Sequence, residues 1–152
     1  MSRAFVNEDD FVGDLPDRLV SEHPNHVTRR GMELIEAALD EARRHYGEAQ
    51  AAGDREALAT AGRDYRYWSA RRASAQIVAP DPDIDTVQFG STVTIVRDDG
   101  REQTFRIVGE DEADPAQGTI SHASPLARAL FRKAVGDVVR AGKDEAEITA
   151  IE

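Results

Sequence analysis

The sequence predicts an α+β fold in which an antiparallel coiled-coil hairpin precedes a small antiparallel sheet with one helix. Two observations predict it: apolar residues recur in steps of four and three through the middle of the chain, and they alternate with polar residues in its last third. We expect an extended acidic N-terminal arm over residues 1–27, the hairpin over residues 28–78 and the sheet domain over residues 79–152.

The hairpin is predicted from two apolar seams of similar length. The first seam contains Thr28, Met32, Ile35, Leu39, Ala42, Tyr46 and Ala49, and the second contains Leu58, Ala61, Tyr65, Trp68, Arg72 and Ala75. Between them, Gly53 is suited to close the first helix and Asp54 to cap the second. So short a connection predicts an antiparallel return. Because the two seams satisfy one another within the chain, we expect a monomer.

The sheet is predicted from period-two alternation that begins after residue 79. A half-buried strand is expected over Val87–Ile95, a turn at Asp98–Gly100 and a return strand over Gln103–Val108. Ser124 and Pro125 predict the start of a helix, with the serine as N-cap and the proline in the first turn, and Gly136–Asp137 predict its end. Two further strands are expected at Val138–Arg140 and Ala146–Ile151.

Composition excludes several classes of function. The chain has 152 residues, no cysteine and four scattered histidines without a metal-binding spacing, so we expect no cysteine chemistry and no metal site. It contains no apolar run near the roughly 20 residues that a membrane span needs, and its N-terminus does not resemble a secretory signal. We therefore expect a cytoplasmic protein that does not bind membranes.

Charge indicates the kind of partner. The net charge is −10, and residues 79–152 hold 8 basic and 15 acidic residues. Proteins that bind bare duplexes usually carry a concentrated basic field, because phosphate contacts dominate their affinity. The partner is therefore expected to be a protein surface rather than free nucleic acid.

Four phrases in the last half of the chain, in this order, resemble the C-terminal domain of the GreA/GreB transcription elongation factors. They are VQFGSTVTI (Val87–Ile95), TFRIVGEDEADP (Thr104–Pro115), SPLARAL (Ser124–Leu130) and VGD (Val135–Asp137). The resemblance implies an FKBP-like fold for this domain, and the hairpin derived above is also what the family carries. Together these features cover about 125 residues, a count that rests on the predicted boundaries.

The resemblance implies a bacterial-type protein that binds RNA polymerase and is not itself an enzyme. It implies no catalytic residue and no cofactor of its own, the magnesium being bound by the polymerase. In the family the globular domain docks at the secondary channel, and the coiled coil enters it, so RNA and DNA are contacted only within the polymerase complex. The residues that match the docking region are Glu112, Asp114, Ser124 and Pro125. Asp54 and Glu56 match the tip, where carboxylates assist a polymerase-bound magnesium during cleavage of backtracked transcripts.

The sequence departs from the family pattern at the tip. The family has an aspartate and a glutamate three residues apart, whereas here Glu56 lies two residues after Asp54 and Ala57 occupies the usual glutamate position. A one-residue offset turns a helical side chain by about 100°. The arms are also shorter by about three turns, or about 16 Å. At the docking region, Ala123 replaces an aspartate or asparagine.

Three alternatives remain open at this point. The protein could occupy the channel, or compete for it, without stimulating cleavage, and the altered carboxylate spacing at the tip favours this alternative over cleavage stimulation. It could be an FKBP-type peptidyl-prolyl isomerase, although after residue 78 it has only Phe89, Phe105 and Phe131 to line an aromatic pocket. It could also be a coiled-coil adaptor or dimeriser, which is disfavoured because the two seams can pack against each other within the chain.

Overall fold

The structure, a computed structural model, describes residues 15–152, so residues 1–14 of the predicted arm lie outside the described part. The chain forms two compact units. Among the described residues, one consists of residues 15–24 and Glu33–Ser74, and the other consists of Asn25–Met32 and Ala75–Glu152. The three-part division at residues 28 and 79 stays a prediction.

The first unit contains the predicted helical hairpin. Helix α1 (Arg29–Ala52) and helix α2 (Arg55–Ser74) are joined by Gly53 and Asp54. Gly53 has φ +66°, a left-handed conformation that glycine adopts without a Cβ penalty. The Asp54 amide donates to the Ala49 carbonyl at 3.0 Å, which closes α1. The predicted hairpin is confirmed.

The seam of α1 is buried largely as predicted. Ile35, Leu39, Ala42 and Ala49 are all buried. Thr28 is buried for a different reason, since its hydroxyl accepts from the Gly31 amide at 2.9 Å and thereby caps α1.

The seam of α2 differs more from the prediction. Its buried residues are Ala59, Ala61, Gly62 and Arg71, whereas Tyr65 is 36% exposed. Arg72, the charged member of the predicted seam, forms an ion pair with Glu36 of α1 at 3.2 Å. Small residues therefore replace the large ones that a regular seam would bury on this helix.

The described part of the arm, residues 15–25, is extended and lies in part along α2. The Arg18 guanidinium is 3.9 Å from the centroid of the Tyr67 ring and forms an ion pair with Asp64 at 3.1 Å. Asp17 pairs with Arg66. Leu19 remains 95% exposed. The described part of the arm is thus held by two cation–π contacts of Arg18, over Tyr67 and Trp68, and by two exposed ion pairs, each of which contributes little by itself.

The second unit is built on a five-stranded sheet. Its strands are β3 (Thr92–Arg97), β4 (Glu102–Val108), β5 (Thr119–Ser121), β6 (Val138–Ala141) and β7 (Asp144–Ile151). Their order across the sheet is β5-β4-β3-β7-β6. At the β3–β4 turn, a hydrogen bond from the Arg101 amide lowers the pKa of the Asp99 carboxyl. A separate parallel pair joins β1 (His26–Val27) to β2 (Gln76–Ile77).

The α+β class is confirmed, but the sheet is mixed rather than purely antiparallel. Strand β5 pairs parallel to β4, with Ile107 opposite Ile120. It was not predicted, because it has only three residues and follows a short 3₁₀ turn (Pro115–Gln117) that brings Thr119 opposite Arg106 in the second half of β4. The other neighbours, β3–β4, β3–β7 and β6–β7, are antiparallel as expected.

Two predicted boundaries are wrong. The first strand begins at Thr92, since Gln88–Ser91 form a turn in which the Ser91 amide donates to the Gln88 carbonyl at 3.0 Å. Helix α3 (Pro125–Leu130) ends well before Gly136, because Arg132 has φ +67° and cannot continue a right-handed helix. The core of this unit is aliphatic and includes Ile95, Ile107, Leu130 and Ile148, each fully buried.

Candidate functional site

Asp54 at the hairpin tip serves as the N-cap of α2. Its Oδ1 accepts a hydrogen bond from the Ala57 amide at 3.1 Å, and its carbonyl accepts from the Leu58 amide at 2.9 Å. The cap satisfies one of the four unpaired amides that begin every helix. One oxygen of the carboxylate is therefore engaged, and the other is available to a ligand at the exposed tip.

Asp54 and Glu56 line the same side of the hairpin. A groove of about 590 Å³ runs along it, and its histidine and carboxylate lining consists of His45, Glu48, Asp54, Glu56 and Asp64. The rest is mostly alanine. Within residues 15–152, no group of three or more histidine and carboxylate side chains is arranged to hold a metal ion. The tip can thus offer carboxylates to a metal held by another protein, but it does not form a complete site.

Ser124 and Pro125 are placed as the sequence predicts. The Ser124 hydroxyl accepts from the Ala127 amide at 3.2 Å, and Pro125 occupies the first helical position with an exposed ring. The fixed φ of proline and its missing N–H both suit that position. A rigid, exposed proline at the start of α3 is therefore available to a partner.

Glu112 is turned towards the base of α1 rather than into solvent. Its Oε1 accepts a short hydrogen bond from the Thr28 hydroxyl, the group that also caps α1. A Cβ at Gly31 would lie 3.0 Å from the same oxygen, so the carboxylate is closely surrounded. Glu112 thus has a structural function, which does not test its predicted role in docking.

Asp114 is the N-cap of the 3₁₀ turn. Its Oδ1 accepts from the Ala116 amide at 3.2 Å, and its own amide donates to Thr119 Oγ1 at 2.8 Å. Thr119 begins β5, whereas Ser124 follows the end of that strand.

Glu112 and Ser124 lie in segments that follow two neighbouring parallel strands. The segment that contains Glu112 leaves the carboxyl end of β4, and the segment that contains Ser124 leaves the carboxyl end of the parallel strand β5. Carboxyl ends of parallel strands meet at one edge of a sheet. Asp114 is hydrogen-bonded to Thr119, at the amino end of β5, and caps the 3₁₀ turn there.

A cluster of three rings was missed by the sequence analysis. His26, Phe89 and His122 have ring centroids 5.7–5.9 Å apart, with the two histidines stacked and Phe89 edge-on to both. Such geometry is favourable for aromatic pairs. These residues come from β1, the turn before β3 and the segment after β5, and no local pattern in the sequence links positions so far apart.

No helix within residues 15–152 combines the length and the apolar character that a membrane span requires.

Comparison with known proteins shows similarity to one family. The sequence profile described as "Transcription elongation factor, GreA/GreB, C-term" matches residues 79–152. GreB of Neisseria meningitidis serogroup B is 46% identical over 96 residues, which are 59% of this chain and 59% of that protein. This chain therefore spans less than two thirds of that relative's length. GreA of Rickettsia conorii is 37% identical over 145 residues, covering 86% of this chain and 84% of the relative.

Among solved structures, GreA factor homolog 1 of Thermus thermophilus aligns with a TM-score of 0.42 at 23% sequence identity. The alignment covers 86% of this chain and 99% of that protein.

Proposed function

Because this chain belongs to the GreA/GreB family of transcription elongation factors, we propose that it binds RNA polymerase at the secondary channel and modulates elongation. In this proposal the sheet unit docks through the Ser124–Pro125 corner, and the hairpin enters the channel. The protein works in the cytoplasm as a monomer and contacts RNA and DNA only within the polymerase complex. Any catalysis belongs to the polymerase and its magnesium.

The observation that carries the docking proposal is the exposed Pro125 at the start of α3. The ring is fixed by the helix behind it, so little conformational entropy is lost when a partner covers it. Ala127 and Leu130 form the buried face of this helix and keep the corner in place. The same arrangement would allow a substitution at Pro125 to alter the surface while the core stays intact.

The docking proposal is tested with Pro125→Arg in the full chain. We expect binding to core RNA polymerase to weaken at least about tenfold, since a long charged side chain replaces a flat apolar contact. Fluorescence anisotropy with a labelled chain measures the affinity, and circular dichroism confirms that the variant is folded. Pro82→Arg, which introduces the same charge at another exposed proline, is the matched control. Equal affinities for wild type and a folded Pro125→Arg would place docking elsewhere.

A second candidate function is occupation of the channel without stimulation of cleavage. It is favoured by the tip, where Asp54 already caps α2 and Ala57 stands where a second carboxylate is expected. With one Asp54 oxygen engaged in the cap and no carboxylate at position 57, the tip offers fewer oxygen ligands to a magnesium ion. In this form the protein competes with a long-armed cleavage factor for polymerase, and a cleavage assay on a backtracked complex separates the two functions.

A further inference from the structure

Arg18 of the arm contacts three side chains on one face of α2. Its guanidinium lies 3.9 Å from the centroid of the Tyr67 ring and 5.5 Å from that of Trp68. It also donates a hydrogen bond to an Asp64 carboxylate oxygen at 3.1 Å. Residues three and four positions apart, as Tyr67 and Trp68 are from Asp64, project from the same face of a helix. The arm therefore covers one defined face of α2.

The described part of the arm is attached through charge, while its apolar side chains stay exposed. Asp17 accepts a hydrogen bond from Arg66 Nε at 2.5 Å. The residues that follow Arg18, Leu19 and Val20, are 95% and 46% exposed. A segment that docks permanently usually buries its large apolar side chains, because apolar burial is the main favourable contribution to association. Exposed charges instead attract one another less as salt is added, since about 1 M salt shortens the screening length to about 3 Å.

The attachment is weak enough to be reversible. Exposed ion pairs contribute little net free energy, and so does an exposed cation–π contact. Ordering an extended segment costs conformational entropy at every residue. Residues 15–21 form neither helix nor strand, so no regular backbone hydrogen bonding offsets that cost. Docked and released forms of the arm are therefore expected to be close in free energy, which is the condition for a switch.

The position of the arm limits how deeply the hairpin can be enclosed. At about 1.5 Å per residue, Asp64 lies about 15 Å along α2 from Asp54 at the tip. A partner that contacts the tip alone leaves the arm in place. A partner that surrounds the hairpin to a greater depth meets the arm, because both would occupy the face that carries Tyr67 and Trp68.

We propose that the arm is an autoinhibitory strap, which restrains the hairpin until a partner that encloses it displaces Arg18 from Tyr67 and Trp68. RNA polymerase is that partner under the proposed function, on which this step rests. The apparent affinity is then reduced to the fraction of molecules whose arm is released. Loosening the arm should therefore tighten binding, whereas loss of a docking contact would weaken it.

Trp68 reports directly on the arm, since it is the only tryptophan of the chain. Acrylamide quenching of its fluorescence measures how exposed the ring is. At low salt we expect Arg18→Gln to raise the quenching constant about twofold over wild type, and about 1 M sodium chloride to raise that of wild type similarly. Arg43→Gln, which removes a guanidinium 5.7 Å from the Tyr65 ring, is the matched control and should leave quenching unchanged.

A charge swap tests the second contact of the arm. Arg66→Asp places like charges opposite each other at Asp17 and should raise the quenching constant, and the addition of Asp17→Arg should lower it again. A change within α2 itself would not be rescued by a substitution in the arm. Circular dichroism confirms that each variant keeps its helix content.

Binding to core RNA polymerase tests the restraint. By anisotropy of labelled full-length chains, Arg18→Gln should bind about threefold or more tightly than wild type, and Arg43→Gln should not bind more tightly. Equal or weaker binding by Arg18→Gln would overturn the strap, while binding by wild type would leave the proposed function standing. Unchanged quenching in Arg18→Gln and at high salt would also overturn it. Failure of both chains to bind would overturn the proposed function and, with it, the restraint.

Discussion

The hairpin and the sheet unit are stabilised by different kinds of side chain. The sheet unit buries large aliphatic residues from several strands, such as Ile95, Ile107 and Ile148. Helix α2, in contrast, buries two alanines, a glycine and an arginine. Burial of apolar area contributes about 25 cal/mol per Å², so the hairpin gains less per residue than the sheet and depends more on helix propensity. The comparison teaches that stability is concentrated in the sheet unit, whereas the hairpin surface can vary at low cost.

The largest effect is expected from the sheet core. Ile148→Ala should lower the free energy of unfolding by about 3–4 kcal/mol, because it removes a fully buried side chain and leaves a cavity. Urea denaturation followed by circular dichroism measures the change. Val138→Ala, at a 58% exposed position of β6, is the control and should change the free energy by less than about 0.5 kcal/mol. A loss below about 1 kcal/mol for Ile148→Ala would show that stability is not concentrated in the sheet unit.

A smaller effect is expected from the seam of α1. Leu39→Ala should cost about 2 kcal/mol, the lower end for leucine, because alanine is the better helix former and the facing residues of α2 are small. The same denaturation experiment gives the value, and Leu34→Ala, at a half-buried position on the same helix, should cost less. If Leu39→Ala proved as destabilising as Ile148→Ala, the two regions would be stabilised to the same degree.

The smallest effect is expected at the tip. Asp54→Asn should leave stability within about 0.3 kcal/mol, since asparagine caps a helix as well as aspartate, whereas Asp54→Ala should cost about 1 kcal/mol. Thermal unfolding of both variants measures the difference. In a cleavage assay wild type is expected to stimulate weakly or not at all. Strong stimulation that disappears in folded Asp54→Asn would instead assign the tip carboxylate a direct role at the magnesium.

Elements with local sequence patterns could be predicted. The caps Asp54 and Ser124 were placed correctly, because each depends on residues within one turn of its own position. The seam of α1 was predicted for the same reason. The α2 seam was less regular, since its buried small residues have no strong periodicity.

Features that depend on distant partners could not be predicted. Strand β5 is defined by its parallel hydrogen bonds to β4, and its three residues are too few to show an alternating pattern in the sequence. The end of α3 was missed because an arginine at positive φ contradicts the usual preference for glycine. The ring cluster brings together His26, Phe89 and His122, whose proximity is created only by the fold.

The sheet unit is discontinuous in sequence, and this affects how the protein forms during synthesis. Val27 is buried in this unit, and a Cβ at Gly109 would lie 2.6 Å from the His26 carbonyl oxygen, so the two segments are tightly packed. Gly109 leaves the ribosome about 80 residues after Val27, a delay of about 4–16 s at typical elongation rates. The hairpin between them can form in that interval. The apolar side chains of Asn25–Met32 therefore have no packing partners in this unit until the sheet has formed.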